Sequence, residues 1–430
     1  MTESEQTIPA SRAGRTSGVA LPNGAPTPWR HLGLEEKRLL LEKTLRERAA
    51  RVPGAAADAP AECGAPAPWM PADAPKKRMG FSLLFFSSNE RDDNPDKYEL
   101  LLEASKLGDK LGFQAVWMPE RHFHAVGGLF PNPSIVAAAI AVLTKQIRLR
   151  AGSVVAPLHH PVRIAEEWSV VDNLSNGRVD IAFARGWNPN DFVLAPEAFR
   201  PDNAVMLEHL ETVRKLWRGD TIQLPAPTGK TAEIRIYPKP RQRELTYWMT
   251  CVGGPERFKE AGERGANILT MLFNQTVEEL SRKIEVYRAA RDKAAGQGVV
   301  TLMLHSFVHP DFDFVRRTVR GPFTDFIRST ISLHKEGAKV RGIEMPEDER
   351  ERIAQFSYER YFRTAGIFGP PDVCANLVER LIEAGVDEIA CQIDFGIDHR
   401  NVLESIPHLA ALKDMFCGAR TAAGAKPSIA

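Results

Sequence analysis

Nowhere in the chain is there a run of about 18 apolar residues, the length an α-helix needs to cross a bilayer. An excess of one charge sign is missing too. Lys plus Arg number 56 and Asp plus Glu 55, so the bulk charge points neither to nucleic acid nor to an anionic membrane. Cysteine is sparse and odd in number: Cys63, Cys251, Cys374, Cys391 and Cys417 are widely scattered, with no CxxC pair. That favours reduced thiols and a cytoplasmic protein over a disulfide framework. The opening MTESEQTIPASRAGRTSGVALPNGAPTPWR lacks the apolar core of a secretory signal. No GxGxxG follows a strand-like segment, so no separate nicotinamide-binding fold is expected. What is present is ordinary for a soluble globular enzyme, 43 % hydrophobic and 26 % charged.

The composition divides the chain. Residues 1–32 are rich in Ser, Thr, Gly, Pro and Ala and bury too little to offset the entropy of ordering. GLEEKRLLLEKTLRERAAR (33–51) reads as an amphipathic helix with Leu34, Leu41 and Leu45 along one side. It is either a docking element or a piece folded back on the main domain. A Pro/Ala linker covers 52–78. From 79 to 417 the pattern alternates, and 418–430 reads as a second disordered tail.

Within 79–417 eight strand-like runs precede eight helical ones. The strands are GFSLLFF, QAVWM, IRLRAGSVV, VDIAFA, LTYWMTCV, ANILTML, VVTLMLHSFV and VDEIACQIDFG. The count predicts an α/β fold of the (β/α)8 barrel type. Two insertions interrupt it, at about 218–244 and at about 309–369. The second follows strand seven at its C-terminal end and reads as a mobile lid.

Barrel chemistry collects where the strands end. Strand two ends in Pro119-Glu120-Arg121-His122-Phe123-His124, and strand three near Gly152-Ser153, followed by His159-His160-Pro161. Strand four ends in Arg185-Gly186-Trp187-Asn188, and strand five in Cys251-Val252-Gly253-Gly254 before a helix. Gly253 and Gly254 let backbone approach an anion at that helix start, and Arg185 could clamp it; together they suggest a phosphate site, although glycine pairs before helices also serve simply as turns. Trp187 reads as a core aromatic or as a wall of that site. His122, His124, His159 and His160 could ligate a metal, as in barrel hydrolases. Those enzymes also need histidines at the ends of strands five and six, where CVGG and TMLFN stand, so no metal is expected. His160 beside Pro161 reads as a helix cap.

GFQAVWMPERHFHAVGGLFPNPSIVAAA, APLHHPVRIAEEWSVVDNLSNGR and VDIAFARG resemble the flavin-dependent luciferase-like monooxygenases, typified by the alpha subunit of bacterial luciferase. The likeness runs from about Gly80 to Phe416. It implies an FMN site, with a non-prolyl cis bond joining Gly152 and Ser153 beneath the flavin ring. It implies that Arg185, with Gly186 and Trp187 beside it, meets the flavin phosphate together with Cys251, Gly253 and Gly254. It implies FMNH2 from a partner flavin reductase, O2 as co-substrate and a flavin C4a-hydroperoxide. Arg121, His122 and His124 are then the candidates for acid–base or hydrogen-bonding roles. Two positions depart from luciferase. Its adjacent histidine pair after the glutamate is Arg121-His122 here, and its reactive cysteine is Ala184, so light emission from an aldehyde is not expected.

PERHFH, NPSIVAAA and APLHHPVRIAEE are most similar to the branch associated with peptide synthetases and polyketide synthases. That resemblance implies a natural-product intermediate held on a carrier protein, docked through 33–51. The family also implies pairing of two copies through helices such as PSIVAAAIAVLTK. The alternatives are an F420-dependent oxidoreductase of the same superfamily, a metal-dependent barrel hydrolase, and a non-catalytic accessory domain.

Overall fold

A computed structural model describes residues 78–86, 96–272, 275–292, 296–339 and 347–416. The expected tails, the 33–51 helix and nearly all of the linker lie outside these residues, as do Cys63 and Cys417. Strand β1 (Gly80–Leu84) is followed by α1 (Glu99–Lys110), β2 (Ala115–Met118) by α2 (Pro133–Leu143), and β3 (Arg148–Val155) by α3 (Pro161–Ser175). Next come β4 (Val179–Ala184), α4 (Ala204–Arg218) and a hairpin of β5 (Ile222–Pro225) and β6 (Thr231–Ile234). The alternation resumes with β7 (Tyr247–Thr250), α5 (Pro255–Glu263), β8 (Asn267–Met271), α6 (Val277–Ala290) and β9 (Val300–Val308). The chain then runs through α7 (Phe312–Lys339), α8 (Glu347–Thr364), β10 (Ile367–Gly369), α9 (Pro371–Glu383), β11 (Glu388–Gln392) and α10 (His399–Phe416).

β1, β2, β3, β4, β7, β8, β9 and β11 pair in parallel and in that cyclic order, and β11 returns to β1. This is the closed (β/α)8 barrel that the strand count predicts. Side-chain size explains the closure. Val179, Ile181 and Phe183 belong to the large outer core shared with the helices, whereas Ala182 joins the inner cluster with Trp117, Trp248 and Ala390. Small inward residues leave room for large ones from neighbouring strands. Local signals start the helices: Asn132 caps α2 by accepting from Ser134 N at 2.9 Å, and Thr276 with Glu279 forms a capping box on α6.

The described residues of the segment 309–369 form two helices, α7 and α8, and the short strand β10. Val315, Val319 and Phe323 on α7 and Ala354 and Tyr358 on α8 are buried at helical spacing. Arg316, Arg317 and Arg320 between them obscure that period, and Pro322 stands inside α7, where a sequence reading expects a break. Among the described residues no helix is long and apolar enough to cross a membrane.

Charge closes the barrel floor. Arg150 reaches inward from β3, donating to Asp180 Oδ2 of β4 at 2.8 Å and to both Glu388 oxygens of β11 at 2.8 and 2.7 Å. Its guanidinium lies 4.9 Å from the Trp117 ring and 4.6 Å from the Trp248 ring. Arg148 adds a bidentate pair to Asp180 at 2.7 and 2.6 Å. Ser82 and Thr301 hydroxyls donate to Glu388 as well. Burial pushes the Arg150 pKa down, but the two carboxylates overcome it and hold the group above its ordinary value. Removing one member of such a network strands the others. Arg150→Ala should therefore cost about 3–5 kcal/mol in denaturant unfolding, whereas Arg163→Ala, on an exposed helix pair, should leave the midpoint within scatter. Equal small effects would remove the floor from the stability of the barrel.

Candidate active site

A cavity of about 600 Å³ opens where the barrel strands end. Every strand contributes wall: Leu84 of β1, Pro119 just after β2, Ser153, Ala184, Thr250, Met271, His305 and Gln392. Phe326 and Ile327 of α7 and Tyr361 of α8 extend it. Gly152 also lines it, and the Gly152–Ser153 peptide is cis, the conformation that the resemblance implies. A Cβ on Gly152 would come within 2.8 Å of the Trp117 ring, so only glycine lets the strand pass the buried indole. Ser153 and Thr250 share a hydroxyl contact across the wall.

Arg185, Gly186, Trp187 and Cys251 meet this cavity, and Gly253 and Gly254 form the turn immediately beyond Cys251. Gly253 has φ 116°, a backbone conformation that side chains disfavour, and Gly254 caps α5. Lys283 of α6 donates to the Gly253 carbonyl at 2.5 Å. Trp187 is 43 % exposed, so it is a wall and not a core aromatic. Arg257, in the first turn of α5, lines the cavity with Arg185. The Arg185 pKa is pushed down by burial and then by the Arg257 charge. Two like charges facing one space, beside a helix start, suit an anion. Burial holds the Cys251 thiol up at about 12, so it offers no thiolate.

The strand-two end divides. Arg121 lines the cavity, donating to Asp191 Oδ2 at 3.1 Å and lying 5.1 Å from the Trp187 ring centre. Its Nε is buried without a partner. His122 and His124 do not line that space; with Phe123 they border a more open depression that shares Arg121 with it. Glu120, a buried carboxylate that lines the cavity, accepts from Val155 N at 2.8 Å and binds His122 Nε2 at 2.9 Å and His159 Nε2 at 2.6 Å, so His122 touches the cavity wall through Glu120. The His124 ring accepts from Val126 N at 3.1 Å. His160 caps α3 by accepting from Val162 N. Among the described residues no three His, Cys, Asp or Glu side chains are grouped as metal ligands.

Arg257 and His305 escape a reading built on strand-end motifs, whereas Gln392 stands with Asp394 and Gly396 at the end of the eighth strand-like run. Arg257 sits inside a helix, where PERFKEAGER shows only ordinary charge. His305 and Gln392 lie within apolar strands, register-paired on β9 and β11. Both have an Nε2 buried without a hydrogen-bond partner, and both line the cavity. Burial drives the His305 pKa down to about 3, so its ring is neutral. The inward parity of β9 and β11, read from the Glu388 side, is the signal that could have located His305.

The Glu120–His159 pair carries a pH dependence. Burial raises the Glu120 pKa, but hydrogen bonds from His122 and His159 and the His159 charge outweigh it, leaving it low. Burial lowers the His159 pKa, but Glu120 outweighs that and leaves it above 6.5. A lowered carboxylate loses its contribution as pH falls through its folded value. A raised histidine contributes fully below its unfolded pKa and loses its contribution as pH rises through its folded one. His159→Asn should therefore lower Tm more at about pH 6 than at about pH 9; a deficit that grows with pH would contradict the assignment.

The family model described as luciferase-like monooxygenase matches residues 78–388. The chain is 24 % identical to the oxygenase component of flavin-dependent trigonelline monooxygenase from Acinetobacter baylyi, over 77 % of this chain and 93 % of that one. It is 35 % identical to the alkanal monooxygenase alpha chain of Photorhabdus luminescens, over 68 % and 83 %. Among solved structures, the oxygenating constituent of 3,6-diketocamphane monooxygenase from Pseudomonas putida, in complex with FMN, shares the fold with TM-score 0.60 and 17 % identity, over 79 % of this chain and 97 % of that one. The chain belongs to the luciferase-like monooxygenase family of flavin-dependent enzymes.

Proposed function

We propose that the chain is the oxygenase of a two-component system, binding FMNH2 released by a flavin reductase and inserting one atom of O2 into an organic substrate. The observation that carries this reading is the Arg185–Arg257 pair at the cavity wall, beside the start of α5. A phosphate dianion there would relieve their repulsion and receive charge-assisted hydrogen bonds. Gly152, Ser153, Gly186, Trp187, Cys251, Gly253 and Gly254 would complete the cofactor's surroundings. When bound, reduced FMN supplies two electrons and two protons, so that one oxygen atom goes to the substrate and the other leaves as water.

The residues have separate tasks. Leu84, Met249, Met303 and Ile327 exclude water from the cavity. The Arg121 guanidinium, fixed by Asp191, holds an anionic oxygen through its unpartnered Nε. His122 acts through Glu120 on the position of the β2 and β3 ends, and His124 braces the loop after β2 by accepting from Val126 N. A carrier-bound natural-product intermediate is one finer substrate reading, supported by the sequence branch and by the amphipathic pattern of residues 33–51. Pairing of two copies is supported by Ile135, Val142 and Leu143 on α2 and Val170 and Leu174 on α3, apolar side chains exposed near one another in the chain order of the barrel.

Two measurements test the reading. Arg185→Ala should weaken FMN binding by about 1.5–3 kcal/mol in equilibrium titration, the scale of a charged hydrogen bond. Unchanged affinity would remove Arg185 from the phosphate site, and tighter binding of the deazaflavin F420 than of FMN would replace the oxygenase by an F420 oxidoreductase. Val142→Glu should shift the protein from dimer to monomer in light scattering; a wild-type monomer would exclude the pairing.

A further inference from the structure

The same cavity has a second polar group, on the side built by α7, α8, β9 and β11. Arg360 and Ser357 of α8 line it with Tyr361, Phe326, His305 and Gln392. Ring contacts join these elements: His305 lies 4.6 Å from Phe323 and 4.8 Å from Phe326, and Phe323 lies 5.9 Å from Tyr361.

Charge is unbalanced here. The carboxylates in the cavity wall are Glu120 and Asp191. Glu120 is bound by His122, His159 and Val155 N, and Asp191 by Arg121 and Asn188. Among the described residues no carboxylate pairs with Arg360, whose guanidinium meets only the Tyr361 ring, 5.9 Å away. The buried Nε2 atoms of His305 and Gln392 have no partner either. Two unsatisfied buried nitrogens beside an aromatic wall are unfavourable without a ligand that answers them, and Arg360, exposed to solvent where it lines the cavity, offers such a ligand a cation.

We propose that this side of the cavity is the substrate subsite and that it takes a small aromatic carboxylate, with Arg360 on the carboxylate and His305 and Gln392 on the polar edge of the ring. The inference rests on the oxygenase reading for the purpose of the subsite, but not for its chemistry. Burial keeps the His305 ring neutral and the Tyr361 phenol protonated, up to about 12. Arg360 therefore supplies the fixed charge, while the imidazole and phenol contribute hydrogen bonds. A guanidinium suits a carboxylate because its donors form a planar fork matching the two oxygens.

The test is calorimetric binding of benzoate, benzamide and pantetheine 4′-phosphate to the full chain, with FMN affinity measured separately for each variant. Benzoate should bind more tightly than benzamide. Arg360→Gln should weaken benzoate by about 10- to 100-fold, Arg360→Lys should restore part of the loss, and FMN affinity should be unchanged. Equal binding of benzoate and benzamide, or benzoate affinity indifferent to Arg360, overturns the subsite. Pantetheine phosphate binding that needs Arg360 while benzoate does not would overturn the carboxylate in favour of a carrier arm. Loss of FMN affinity in Arg360→Gln would assign Arg360 to the cofactor phosphate instead. Arg360-dependent benzoate binding in a protein that binds no flavin would keep the subsite and refute the oxygenase reading.

Discussion

One guanidinium holds the barrel in register. Arg150 is enclosed by the side chains of the strands around it, and its charge is tolerable there because Asp180 and Glu388 reach it from two other strands. Glu388 extends the network to Ser82 and Thr301, and the Trp117 and Trp248 rings, 5.4 Å apart and edge to face, wall it in. Buried ion pairs of this kind contribute less to net stability than to specificity, because desolvation offsets much of the attraction. Their effect here is positional. With the floor filled by charge and indole, the cavity opens toward the C-terminal strand ends.

The strand ends then differ in how they are satisfied. Glu120 is surrounded by hydrogen-bond donors and ties the ends of β2 and β3 together. That makes a rigid wall rather than a reactive one. Arg121, His305 and Gln392 are the opposite case, each lining the cavity with a buried nitrogen that has no partner within the chain, while Arg185 and Arg257 bring two like charges to the same space. Folding tolerates such groups where a ligand later answers them. The cavity thus carries cations at one end, Arg185 and Arg257 by β4 and α5, and at a second, Arg360 of α8, with apolar residues of the barrel wall also lining it.

Much of this was legible in the sequence, and unevenly so. Strands such as VDIAFA announce themselves because outward Val179, Ile181 and Phe183 alternate with small inward residues. The Gly152–Ser153 cis peptide is legible only through family resemblance, whereas Arg185 stands out from its place at the end of a strand beside the Gly253-Gly254 turn. Arg150 looked like a charge on an ordinary strand, since only closure of the barrel turns it into the core. The α7 and α8 helices were hidden by arginines between their apolar positions and by Pro322. His122 and His124, prominent in the motif, do not line the cavity: His122 is bonded to the wall residue Glu120 and His124 to Val126 N. His305 was invisible because one imidazole in an apolar strand carries no spacing signal.

The central claim is that this barrel binds reduced FMN and directs its reaction with oxygen. The most direct measurement mixes the protein anaerobically with FMNH2, adds oxygen, and follows near-ultraviolet and visible absorbance in a stopped flow. The account predicts that FMNH2 binds and that a distinct absorbing species precedes oxidised flavin. It further predicts that this species decays faster when a substrate bound at the second end is present. FMNH2 that remains unbound and oxidises at its rate in free solution would contradict it.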